Sequence, residues 1–110
     1  MITVAELPEY VRQAERLLSE SERHNVIDCL ALRPNAAVLI RGTGGIHKLR
    51  WARDGRGKSA GVRVIYYFHS ERMPLYLLTL FGKNDQSDLS AAERNELGAL
   101  VELLIEESGL

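Results

Sequence analysis

Seven basic residues, Arg41, Lys48, Arg50, Arg53, Arg56, Lys58 and Arg63, fall within the single stretch RGTGGIHKLRWARDGRGKSAGVR, against one acid, Asp54. That local excess of +6 lies inside a chain whose formal net charge is -1. Lys48 and Arg50 are separated by one residue, the spacing that puts two side chains on one face of a strand. Cations gathered in this way bind phosphate. They can also cleave RNA without a metal, because RNA carries its own nucleophile in the 2′-OH. Such cleavage needs a base for that hydroxyl, charge stabilisation at the five-coordinate phosphorus, and an acid for the departing 5′-oxygen. The planar fork of arginine suits the second task, and a lysine whose pKa is lowered by neighbouring cations can perform the first.

The candidate set for this chemistry is Lys48, Arg50 and Arg63, joined by Lys83 in the Gly-Lys-Asn turn beyond the next apolar run. Tyr67 shares a strand face with Arg63 and is a candidate for stacking on a base. His69, at the end of that strand, is a candidate acid. The same residues also fit a solvated basic sheet face, with Lys48 or Arg63 paired to acids on the last helix. His24 and His47 read as ordinary surface or half-buried residues, and Cys29, among apolar neighbours, as a small buried hydrophobe. Histidine and cysteine show no metal-ligand spacing, so neither a metal nor a cofactor is expected.

The remaining composition bounds the answer. At 110 residues, with 45% hydrophobic and 26% charged residues, residues 1–110 are expected to form one domain around one core. The apolar runs are too short to span a membrane and MITVAELPEY lacks the order of a signal peptide, so a cytoplasmic protein is the default. The acids concentrate at the other end, where residues 85–110 hold seven against one arginine.

The elements that must position the cations follow from periodicity and caps. Pro8 suits the first helical position, and Leu7, Tyr10, Val11, Ala14, Leu17 and Leu18 form one apolar stripe. Ser19-x-x-Glu22 is a capping box for a second helix through about Leu32, which Arg33-Pro34 ends. The short link predicts an antiparallel helical hairpin. Residues 2–5 are an edge strand or a frayed lead. Ala36–Ile40 is a short extended segment, Gly42–Gly45 a turn, and Ile46–Arg53 a strand with Leu49 and Trp51 facing the core. Val62–His69 is the strongest strand by composition, and Leu75–Phe81 reads as a central strand buried on both faces. Ser90-x-x-Glu93 caps a last helix with Leu97, Leu100, Val101, Leu104 and Ile105 as its stripe. The expected fold class is α+β: a helical hairpin on a small antiparallel sheet of about three strands, followed by a C-terminal helix.

GTGG, the Lys-x-Arg strand, GVRVIYYF and LLTLFGKN occurring in this order resemble the HigB-like branch of the RelE/ParE toxin superfamily. The resemblance is close over about residues 36–97. It implies the toxin of a type II toxin–antitoxin pair with a RelE-like fold. It also implies a metal-free mRNA endoribonuclease that works in the ribosomal A site and inhibits translation. A cognate antitoxin, of the helix-turn-helix HigA-like kind, is the implied partner, alongside ribosome and mRNA. By this resemblance Lys48, Arg50, Arg63 and Lys83 are catalytic; Arg41, Arg53, Arg56 and Lys58, the other cations of the basic stretch, are expected to contact RNA or ribosome. Two positions depart from the RelE pattern. Asn84 stands where a further arginine follows, and the register of the late stacking tyrosine reaches Ser90. Tyr67 and His69 are the candidates to substitute for the missing acid and stacking partner, and Asn84 is a further candidate in the turn. The alternatives on the same fold are a ParE-like, non-enzymatic gyrase poison and an inactive relative that binds RNA or antitoxin.

Overall fold

The computed structural model describes residues 2–52 and 61–109. Among them the chain runs β1 (Val4–Glu6), α1 (Pro8–Leu17), α2 (Glu20–Leu32), β2 (Val38–Leu39), β3 (Ile46–Trp51), β4 (Val62–Tyr67), β5 (Leu75–Gly82) and α3 (Ala91–Ser108). The helix starts lie where the caps put them. Pro8 opens α1. Ser19 and Ser90 each accept from the backbone N–H three residues on, while Glu22 and Glu93 reach back to the cap N–H. Two otherwise unpaired donors are thereby satisfied at each end. Gly109, at φ 77°, closes α3 in the left-handed conformation.

The sheet is larger than a three-stranded antiparallel meander. Five strands stand in the order β1-β5-β4-β3-β2, and β1 pairs parallel to β5 with Val4 opposite Leu75. The remaining pairs are antiparallel, so the sheet is mixed. Three residues are too few for β1 to show an alternating pattern, and its partner strand lies far along the chain. Backbone bonds from Leu75 N–H to Thr3 O (2.9 Å) and from Leu7 N–H to Leu77 O (3.1 Å) fasten it there. The central position belongs to β4, all six of whose residues are buried, while β5 lies between β4 and β1.

Each sheet face has its own apolar layer. The helical hairpin contributes Tyr10, Ala14, Leu18, Val26 and Leu30 to one, where they meet Val62, Val64, Tyr66, Leu75, Leu77 and Leu80. Leu49 and Trp51 pack against this layer, as their alternation predicts. The other face carries Ile46, Ile65, Tyr67, Leu78 and Phe81, covered by Leu89, Val101 and the partly buried stripe of α3. A register shift after Ile65 leaves Leu78 without an opposite residue, since Ile65 pairs with Thr79 and Tyr66 with Leu77. This bulge lets Leu77 and Leu80 face the same layer despite odd spacing. It also keeps Phe81 on the same face as Arg63.

His47 is more buried than its sequence context suggests. It is 7% exposed, its ring stacks on Tyr66 with centroids 5.0 Å apart, and its Nδ1 lies 2.9 Å from Gly45 O. Tyr66 in turn donates its hydroxyl to Pro34 O at 2.8 Å, joining the sheet to the end of α2.

Candidate functional site

The register of β3 against β4 builds the site. Arg50 stands opposite Arg63, and Lys48 opposite Ile65. All four point to the face that carries α3. In the same row, Phe81 of β5 lies on the other side of Arg63. Beyond β5 the backbone N–H of Lys83 donates to Gly61 O at 3.0 Å, which holds the Lys83 turn beside the entrance to β4. Arg50, Trp51, Ala52, Gly61, Arg63 and Lys83 thus surround one open cleft of about 360 Å³.

Within it the cations are differently held. Arg50 and Lys83 are exposed, whereas Arg63 is only 9% exposed and donates from Nη1 to Val62 O at 3.4 Å. Among the described residues none of the three has a carboxylate within ion-pair distance. Three cations facing one small cleft repel each other and favour any anion that enters it. Their hydrogen-bond donors suit the oxygens of a phosphate.

Lys48 belongs to the same face but is not free. Its Nζ lies 3.3 Å from Asp88 Oδ1, and Asp88 also pairs with Arg94 of α3 at 3.6 Å. Lys48 is thus paired with an acid, but that acid lies in the segment before α3 and not on the helix where the residue types suggested it, and Arg63 has no carboxylate partner among the described residues. Asp88 and Arg94 are invisible as site residues in the sequence, since nothing local signals that Asp88 meets a strand so far upstream. Alternation assigns Trp51 to the core alone, yet its strand-end position lets it pack on the hairpin layer and line the cleft as well.

Other candidates lie elsewhere. Asn84, in the turn with Lys83, is exposed beside the cleft without lining it. Arg41 occupies the turn before β3, at the opposite end of that strand from Arg50. Tyr67 ends β4, about 13 Å along the strand from Arg63, and His69 lies two residues beyond that end. Tyr67 is 1% exposed, in one buried cluster with Ile46, Met73, Leu78 and Val101, and burial pushes its phenol pKa up. Its ring has no free face for a base, which removes it as a stacking partner in this conformation. His69 is exposed but too distant to share a phosphate with Arg63. Arg53, Arg56 and Lys58 lie outside the described residues.

A helical hairpin and a C-terminal helix on opposite faces of a mixed sheet, with a cationic cleft at one strand end, define a small α+β protein with a candidate anion site. Residues 35–108 match the sequence profile described as the RelE toxin of the RelE/RelB toxin–antitoxin system. The chain belongs to the RelE toxin family and is a toxin of the toxin–antitoxin kind. In fold it is similar to an arginine double mutant of the E. coli toxin RelE in the free state. The two share a TM-score of 0.59 at 12% sequence identity, over 86% of this chain and 95% of that one. Among the described residues no helix is long and apolar enough to cross a membrane.

Proposed function

We propose that this toxin is a ribosome-dependent mRNA endoribonuclease. The observation that carries the reading is the cluster of Arg50, Arg63 and Lys83 around an open cleft, without a carboxylate among the described residues to neutralise it. A scissile phosphate in that cleft would meet the guanidinium of Arg63 from the sheet floor and that of Arg50 from the rim. Both groups oppose the charge that builds on the non-bridging oxygens as the 2′-OH loses its proton and bonds to phosphorus. The bond from phosphorus to the 5′-oxygen breaks, and that oxygen takes up a proton. Lys83, on a turn at the cleft edge, supplies an amine for proton transfer, and Lys48 holds the adjoining RNA backbone. Trp51 offers an aromatic surface at the same opening for an unstacked base. Arg41, Arg53, Arg56 and Lys58 extend the contact to RNA or ribosome. Working on ribosomes puts the protein in the cytoplasm, with a HigA-like helix-turn-helix antitoxin as its neutralising partner.

The test is a cleavage assay with purified protein, chelator, and ribosomes holding a defined mRNA with an empty A site. Naked mRNA serves as control. Cuts inside the A-site codon on ribosomes alone are expected. Intact mRNA in every lane, from folded protein that is toxic in cells, would overturn the nuclease reading and point to gyrase as target.

A further inference from the structure

Beside the cleft, one carboxylate gathers three donors. Asp88 Oδ1 accepts the Leu89 N–H at 2.8 Å and the Lys48 ammonium at 3.3 Å, and Oδ2 lies 3.6 Å from Arg94 Nη2. The Leu89 N–H first, and then Lys48 and Arg94, hold the Asp88 carboxyl below the usual carboxylate range. A backbone N–H, an ammonium and a guanidinium converging on one anion are also the donors that hold a phosphate.

The fold fixes this convergence. Lys48 projects from the α3 face of β3, and Arg94 sits in the first turn of α3. Gln86 Nε2 donates to Asp88 O at 2.9 Å and to Glu93 Oε1 at 3.2 Å, while Leu89 is buried beneath. The carboxylate itself stays accessible: the Lys48, Asp88 and Arg94 side chains are 27%, 40% and 43% exposed. Pairs this open exchange readily with solvent and with competing anions. Lys48 stands two residues from Arg50, about 7 Å along the strand. That is comparable with the separation of neighbouring phosphates on a nucleic-acid strand.

We infer that Asp88 is a built-in substitute for phosphate. It fills a second anion position, made by Lys48, Arg94 and the Leu89 N–H, which an RNA backbone phosphate takes over by displacing it. The inference rests on the reading of the neighbouring cleft as an RNA site, and adds to it a subsite, an internal competitor and Arg94 as a phosphate ligand. Asp88 raises the threshold for polyanions that fill only one position. An RNA that occupies both the cleft and this subsite pulls Lys48 away from the carboxylate.

Fluorescence anisotropy with a labelled, uncleavable 2′-deoxy-substituted RNA oligonucleotide tests this. Asp88→Asn should tighten binding about five- to tenfold at low salt and steepen the log–log salt dependence by about 0.7 for each additional phosphate neutralised. In a Lys48→Met background most of that tightening should vanish. Asp85→Asn, which removes an equal charge from an acid paired with Arg16, should give much less. Asp88→Ser, whose hydroxyl still accepts from Leu89, repeats the test if the Asn variant misfolds. Equal or weaker binding by a folded Asp88 variant overturns the inference, as does undetectable binding by every protein, an equal effect from Asp85→Asn, or an effect that survives in Lys48→Met. A wild-type protein that cuts no mRNA on ribosomes, while Asp88→Asn still tightens the oligonucleotide, would sink the nuclease reading and leave this inference standing.

Discussion

Arg50 and Arg63 face each other directly across β3 and β4, side chains on the same side of the sheet, without a carboxylate partner for either among the described residues. Like charges opposed in this way destabilise a sheet, by up to about 1 kcal/mol. Arg63 adds the cost of a guanidinium at 9% exposure whose one described bond goes to the adjacent Val62 carbonyl. Its replacement by Met, which fills similar space, should leave stability unchanged or raise it by about 0.5–1 kcal/mol in urea unfolding. Ribosomal cleavage should fall about 10²–10³-fold, the usual loss for one donor to a developing oxyanion. A large drop in stability would show that Arg63 is structural.

Lys83 gives the opposite pairing of effects. Its side chain is exposed, and the bond that fixes its turn comes from the backbone N–H. Lys83→Ala should therefore keep the folded state within about 0.5 kcal/mol of wild type. If its amine transfers a proton, single-turnover cleavage should slow about 10²–10⁴-fold. Cleavage within a factor of two of wild type would take Lys83 out of the chemistry.

Gly45 tests the turn that leads into β3. Its φ is 126°, and an added Cβ would stand 2.8 Å from Cε1 of the buried Tyr67 ring. Backbone strain and overpacking act together, so Gly45→Ala should cost about 2–4 kcal/mol in chemical denaturation. Gly44, at φ 75° with open space around its Cβ position, should cost only the strain, about 1–2 kcal/mol. Equal costs at both positions would contradict the Tyr67 contact.

The stacked pair of His47 and Tyr66 should narrow the stable pH range from both sides. Burial pushes the Tyr66 phenol up to about 12, above its unfolded value of about 10. Its contribution is complete below about pH 10 and is lost as pH rises towards 12, to a total on the order of 2–3 kcal/mol. His47 is shifted the other way: burial lowers its pKa, against a smaller opposing effect of the Gly45 carbonyl. Its contribution is therefore complete above the unfolded value of about 6.5 and is lost as pH falls through the lower folded one. Urea midpoints measured against pH should decline at both ends, and Tyr66→Phe should flatten the alkaline limb. An unchanged alkaline limb in that variant would assign the loss to other groups.

Much of this architecture is legible because its signals are local. Ser19-x-x-Glu22, Ser90-x-x-Glu93 and Pro8 fix helix starts through bonds or constraints reaching three or four residues, and the helices begin there. Alternation in VRVIYYF assigns Tyr66 and Tyr67 to opposite faces, and they are buried in different layers. β1 is only half visible, because three residues carry no period and its stabilising bonds come from β5.

Residue types and spacing alone determined that Lys48 and Arg50 share a strand face, that Arg63 follows on a second strand, and that the chain resembles RelE toxins. Which of those cations stand around one cleft follows from the folded arrangement. The β3–β4 register put Arg50 opposite Arg63, the Lys83–Gly61 bond brought in Lys83, and the approach to α3 gave Lys48 to Asp88. Folding also placed Tyr67 in the core, within the layer that α3 covers, while the cleft opens beside Arg63 at the other end of β4. Side-chain direction is set by the local backbone and can be read residue by residue. Charge pairing is set by chain segments that meet only after folding, and no local pattern records it.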